Sequence, residues 1–205
     1  ALWQAQSSGK GQVVDAAITD GSVYASSLLW MIHNSSHATD QVGVSWTDGA
    51  APWNDTYVCS DGHYINICAL EPKFYRLLLD RLDLSQKDCF EHQWQKQSWP
   101  LARVVLTQKF ASETRQYWCD LLEGSDACFA PVLNFTEATQ HPHHKARKAF
   151  VELDGVTQPA PAPKMGQNKG VLKSAPRAGQ DTVNILAQLG LLPERIAQLQ
   201  QAGVV

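Results

Sequence analysis

Residues 48–75, DGAAPWNDTYVCSDGHYINICALEPKFY, constrain the fold more tightly than any other part of the chain. Two short β-prone runs, at 56–59 and 64–68, flank Ser60-Asp61-Gly62. Asp-Gly between such runs predicts a hairpin, because the tight turn needs residues that tolerate positive φ. Glu71-Pro72 then opens a helix, since a proline at the first helical position sacrifices no intrahelical hydrogen bond. Phe74, Leu77, Leu78 and Leu82 recur at helical spacing and predict one buried stripe. A hairpin that runs straight into an amphipathic helix is the seed of an α+β layer.

The flanking sequence is mixed. Residues 1–6 read as the last turns of a helix closed by Ser7-Ser8 and a Gly9 C-cap. A chain that opens inside an element, without an initiator Met, is expected to be the later part of a longer one. Residues 12–17 predict a short buried strand. Residues 19–32 predict a helix with Val23, Tyr24, Leu28, Trp30, Met31 and Ile32 as its apolar set, and polar residues 33–50 predict a connection.

Further on, helices are predicted at 99–110, 113–123 and 136–148, and strands at 128–133 and 150–153, the last turned by Asp154-Gly155. Pro159, Pro161 and Pro163 impose an extended path into a loop at 164–180. Two closing helices, 181–189 and 193–202, each stop at a glycine (Gly190, Gly203). The sum is α/β at the start, α+β in the middle and helical at the end.

Composition removes several functional classes. At 205 residues the chain can bury a real core as one large domain or two small ones. A net charge of −3 provides no basic field for nucleic acid. No apolar run approaches a membrane span, and the start lacks a basic-then-apolar signal. Five cysteines without CxxC spacing argue against a zinc site or a disulfide framework, and predict buried free thiols in a reducing compartment. His141, His143 and His144 have no Cys, Asp or Glu beside them at zinc spacing, so no metal site is expected there. The closing Ala202-Gly203-Val204-Val205 is neither a peroxisomal nor a reticulum address.

Ordered blocks of the chain resemble the α-methylacyl-CoA racemases, within the family III CoA-transferase (CaiB/BaiF) superfamily. The blocks are SSGKGQVVDAAITDGS at 7–22, then GAAPWNDTY, DGHY and ALEPKFY, then SDACFAPVLNFTEATQHPH at 125–143, and finally LAQLGLLPERIAQLQQAGVV. The resemblance implies a Rossmann-like large domain, a small α+β domain and a return of the chain to the large domain. Residues 1–32 then correspond to the last large-domain elements and 33–50 to a linker. The small domain follows at 51–163, the return linker at 164–180 and the C-terminal helices at 181–205. It further implies a homodimer of interlocked subunits, each site lying between the large domain of one and the small domain of the other.

The implied reaction is epimerisation of 2-methyl-branched acyl-CoA thioesters by 1,1-proton transfer. It uses no cofactor, CoA being part of the substrate. Such chemistry needs an acid–base group on each face of a planar enolate, and fixed donors for the enolate oxygen. In the family the two bases are an Asp at a glycine-rich helix start and a His. Both lie upstream of the blocks matched here, and no residue of this chain is assigned to either. Glu71 matches the Glu of the family's Glu-Pro pair, which the partner subunit presents to orient the catalytic His. An ionised carboxylate suits that role, because it fixes an imidazole and stabilises its protonated form. A carboxylate just before a helix is also stabilised by the positive helix end without any function.

Trp53, Asn54, Asp55 and Tyr57 match the segment that lines the acyl pocket, and the resemblance adds Leu70 to the substrate-binding set; Tyr57 is expected rather to pack in its strand. For Trp53 a core role stands equally open. Asn54 replaces a usual second aromatic, and Ala50 and Cys68 stand where the family usually has glycine, so the pocket's shape is expected to differ. Two alternatives follow from the same resemblance. A family III CoA-transferase would move CoA to a free carboxylic acid through an acyl-aspartyl anhydride. Formyl-CoA transferases carry consecutive glycines near the position of 49–52, where this chain has GAAP. The other alternative is a non-catalytic fragment. The expected compartment is cytoplasmic, or peroxisomal or mitochondrial in a eukaryote.

Overall fold

The computed structural model describes residues 1–35, 40–166 and 172–205. The expected connection at 33–50 and loop at 164–180 therefore lie partly outside the described residues. The chain divides into two compact units, 1–132 and 133–205.

In the first unit, helix α1 (Leu2–Ser8) ends at Gly9, whose φ of 68° is the left-handed C-cap conformation that favours glycine. The strand expected at 12–17 does not form. Residues 10–17 adopt neither helix nor strand, and Val13 is 96% exposed. A strand exists only through its ladder, and among the described residues no sheet offers 12–17 a partner. The helix expected at 19–32 is two helices, α2 (Ile18–Ala25) and α3 (Ser27–Asn34). Ser26 and Ser27 explain the break: their hydroxyls donate back to the carbonyls of Val23 and Tyr24, a pattern that bends helices. Of the apolar set only Ile32 is buried, whereas Tyr24, Leu28, Trp30 and Met31 are exposed.

The hairpin forms as the sequence predicts. Strand β1 (Asn54–Val58) pairs antiparallel with β2 (Tyr64–Cys68), with Asn54 opposite Cys68 and Val58 opposite Tyr64. Gly62 takes φ 75° in the turn, the left-handed region that favours glycine. Helix α4 (Pro72–Arg81) starts on Glu71 with Pro72 in its first turn. Its buried face is Tyr75, Leu78, Leu79 and Leu82, while Phe74 is half-buried; the stripe is rotated slightly from the expected one. Helices α5 (Trp99–Phe110) and α6 (Arg115–Leu122) follow, and β3 (Phe129–Val132) pairs antiparallel with β2. The sheet order is β1-β2-β3.

One core lies under this sheet. Tyr57, Ile65 and Ile67 pack in one cluster with Leu78 of α4 and Leu82 just after it, Leu106 and Phe110 of α5, and Trp118 and Leu122 of α6. Alternation along β2 leaves Tyr64, Asn66 and Cys68 on the opposite, more open face. Polar atoms inside the core are matched: Tyr57 donates to the Pro52 carbonyl at 2.5 Å, and Trp118 Nε1 to the Phe110 carbonyl at 3.0 Å.

In the second unit, the helix expected at 136–148 is α7 (Phe135–Gln140) and α8 (Pro142–Ala146). Pro142 causes the division, because the residue before a proline is driven out of helical geometry, and His141 takes ψ 131°. Asn134 and Glu137 form a reciprocal capping box on α7. Strand β4 (Phe150–Leu153) turns through Asp154-Gly155 into β5 (Val156–Pro159). The chain closes with α9 (Thr182–Gln188) and α10 (Pro193–Gln201), where Ile196 is buried. Among the described residues, no helix is long and apolar enough to cross a membrane.

Candidate active site

The antiparallel register of β1 and β2 gathers the candidate residues at one corner. Asn54 begins β1 directly opposite Cys68, which ends β2. Trp53, just before β1, therefore lies beside Ala69, Leu70 and Glu71, just after β2. The Ala69 amide donates to the Trp53 carbonyl at 3.0 Å and extends the ladder by one bond.

Glu71 occupies the N-cap position of α4 with extended backbone (φ −77°, ψ 142°), yet its side chain makes no capping hydrogen bond. Its carbonyl accepts from the amides of Phe74 and Tyr75, both at 3.0 Å, so its backbone is fixed by the helix. The residue is exposed. The result is a carboxylate on an anchored backbone with its oxygens free to meet another group. Its negative charge is felt nearby: burial first, then Glu71, pushes the Cys128 thiol above its ordinary range. The Cys68 amide donates to the Cys128 carbonyl at 2.9 Å, which ties the end of β2 to the chain just before β3.

The other four candidates divide by what their side chains touch. Asn54 and Leu70 are half-buried; the Asn54 side-chain amide donates to the Trp46 carbonyl at 2.9 Å. Trp53 is 1% exposed and lies in an aromatic cluster with Trp46, Trp94 and Trp99. Its indole N–H donates to the Gln93 carbonyl at 3.1 Å. Asp55 points to the core side and pairs with Arg103 of α5. Trp53 and Asp55 are thus held by Gln93 and Arg103, while Asn54 and Leu70 are half-buried and Glu71 is exposed.

Two residues at this corner carried no functional expectation from the sequence. Arg103 bonds Asp55 and also donates to the carbonyls of Gly49 at 2.6 Å and Ala50 at 3.1 Å. Its signal was a cation next to the buried stripe Trp99, Ala102, Leu106 and Phe110. Gln93 is a buried polar residue whose side-chain N–H groups reach the Ala69 and Leu70 carbonyls. A groove of 710 Å³ lies between α4 and residues 90–95, lined among others by Pro72, Tyr75, Leu79 and Gln93.

The cysteine expectation holds in part. Cys59 and Cys119 are buried, and burial raises both thiols to about 11. Cys68 is exposed and Cys89 and Cys128 are intermediate, because Cys68 falls on the open face of β2. All five are free thiols. Among the described residues, no three His, Cys, Asp or Glu side chains gather as metal ligands.

Residues 1–182 match the family model described as CoA-transferase family III. The chain belongs to this family. Two family III relatives are α-methylacyl-CoA racemases. The mouse protein is 35% identical over 209 residues, which is 100% of this chain and 54% of the relative. The human protein is 35% identical over 208 residues, with the same two shares, 100% and 54%. The solved structure of a CAIB/BAIF family protein from Brucella suis superposes with a TM-score of 0.67 at 20% identity, covering 92% of this chain and 50% of that one. The chain spans about half the length of these relatives. The α+β mixture of helices and small sheets is thus that of the CaiB/BaiF proteins.

Proposed function

We propose that this chain supplies the small-domain side of a racemase acting on 2-methyl-branched acyl-CoA thioesters. The observation that carries the reading is Glu71: a carboxylate without a capping bond, on a backbone fixed from both sides, within a chain 35% identical along its length to two racemases.

The chemistry follows from what such a carboxylate does well. Removing the α-proton of a thioester and returning it to the opposite face needs two acid–base groups, one per face. Glu71 is neither of them. Beside an imidazole it accepts the ring N–H, fixes the tautomer, and stabilises the imidazolium formed when the ring takes the proton. Its exposure suits a group offered to another polypeptide surface, as in an interlocked homodimer. The exposed apolar side chains of α2 and α3 support an assembled state as well, since Tyr24 and Trp30 are 83% and 56% exposed. Asn54 and Leu70 line the acyl side, with Trp53 and Asp55 holding their positions. No cofactor is needed, because the thioester itself acidifies the α-carbon.

The test uses the product of the complete reading frame, a single enantiomer of a 2-methylacyl-CoA, and a free carboxylic acid. Chiral chromatography of the recovered thioester reads racemisation, and mass spectrometry of the CoA pool reads transfer. Scrambled C2 with an unchanged CoA pool is the expected result. A new thioester formed with C2 configuration intact would assign the chain to the CoA-transferases; the single glycine of GAAP at 49–52 weighs against that.

A further inference from the structure

We infer that Gln93 is the positioning residue for Glu71, a role that rests on the racemase reading of the site. Gln93 is held and holds through different atoms. Its main-chain carbonyl accepts the indole N–H of Trp53 at 3.1 Å and that of Trp99 at 2.8 Å. Its side-chain Nε2 donates to the carbonyls of Ala69 and Leu70, both at 2.9 Å. Two carbonyl acceptors demand the NH₂ end of the amide, so the partners themselves fix its orientation. Gln93 is 9% exposed, and water competes little for these bonds.

The consequence is local to one peptide stretch. Ala69 is bonded through its amide to Trp53 and through its carbonyl to Gln93, and Leu70 through its carbonyl to Gln93. Glu71 then enters α4, where its carbonyl is held. Three consecutive residues are fixed by the backbone, and the Glu71 carboxylate is left free. Tyr75 also reaches across, donating to the Phe90 carbonyl at 3.4 Å, so the loop carrying Gln93 is tied to α4 itself. A carboxylate that must meet an imidazole on another surface needs this rigidity, because misplacement by about 1 Å can cost roughly 100-fold in rate.

The division of labour makes the inference testable. Because Trp53 and Trp99 bond the main-chain carbonyl, Gln93→Met leaves the tryptophan anchors intact and removes only the clamp. In the complete enzyme, α-proton exchange is compared for wild type, Gln93→Met, Glu71→Gln and the double variant. Gln93→Met is expected to lower kcat roughly tenfold with KM within about twofold. The double variant should be no slower than Glu71→Gln alone, because Gln93 acts through Glu71. Losses that multiply would mark Gln93 as a stability residue only and overturn the inference. Absence of exchange in the wild type would instead defeat the racemase reading.

A second readout needs no activity. Amide hydrogen exchange at Ala69 should quicken at least about tenfold in Gln93→Met, or in Gln93→Asn if the methionine variant does not fold, with Ile65 unchanged. Equal protection at Ala69 in wild type and variant would refute the clamp whatever the activity shows.

Discussion

Arg103→Met is the perturbation whose energetic cost the structure defines best. The guanidinium pairs with Asp55 and donates to the carbonyls of Gly49 and Ala50. The two side chains are 34% and 27% exposed, so the pair is neither on the surface nor dry. A solvated pair contributes about 0–1 kcal/mol, and breaking a fully buried one costs about 3–5 kcal/mol. Methionine retains much of the apolar stem of the arginine, which limits the loss to the polar contacts. The expected cost is therefore about 2–3 kcal/mol, or about 5–10 °C in Tm.

Fluorescence isolates the effect, because all seven tryptophans lie in the unit spanning 1–132. Urea unfolding followed at the tryptophan emission should show Arg103→Met lowering the midpoint. Asp55→Asn, which keeps an acceptor oxygen, should cost less, about 1 kcal/mol. The coupling in the double variant should be at least about 1 kcal/mol. A cost for Arg103→Met below about 0.5 kcal/mol would show the contacts to be solvated and refute the argument.

Three further outcomes are expected. Glu71→Gln should leave the unfolding free energy from urea titration within about 0.5 kcal/mol of wild type, since the side chain caps nothing, while activity of the complete enzyme falls; a stability loss of about 1 kcal/mol or more would make it a structural cap. Stability should fall as pH rises from about 9 to 11, because the folded Cys59 and Cys119 thiols retain protons that the unfolded chain has released, and Cys59→Ala should flatten that slope in thermal melts. Burial of Tyr57 and Tyr75 acts in the same direction, so a melting temperature constant to pH 10.5 contradicts the account. Asn134→Ala removes half of the capping box on α7 and should cost the second unit about 1 kcal/mol, read by circular dichroism; no change would show the box to be idle.

What the sequence revealed is what is local. The turn at Asp61-Gly62, the proline start of α4, the α5 boundaries and the Asp154-Gly155 hairpin each depend on a few adjacent residues. What it concealed is set by distant partners. The run at 12–17 has strand composition but no ladder, and a ladder is a property of other segments. The breaks at Ser26 and His141 turn on hydroxyl back-bonding and a following proline, which interrupt the otherwise helical periodicity of 19–32 and 136–148. Gln93 and Arg103 matter through contacts 23 to 54 residues away, so no local pattern could assign their partners. Both were nonetheless polar residues set against aromatic or apolar neighbours, a combination that only a specific partner makes tolerable. A role for Glu71 is legible only through resemblance; what the structure adds is that its side chain makes no capping hydrogen bond.

The most direct test of the racemase reading is deuterium incorporation at C2. The product of the complete reading frame is incubated with a 2-methylacyl-CoA in deuterium oxide, and the α-proton is followed by proton NMR. The account predicts that the C2 signal disappears and the 2-methyl doublet collapses to a singlet, with both effects strongly slowed in Glu71→Gln. A C2 proton retained through complete turnover of the CoA thioester would contradict it.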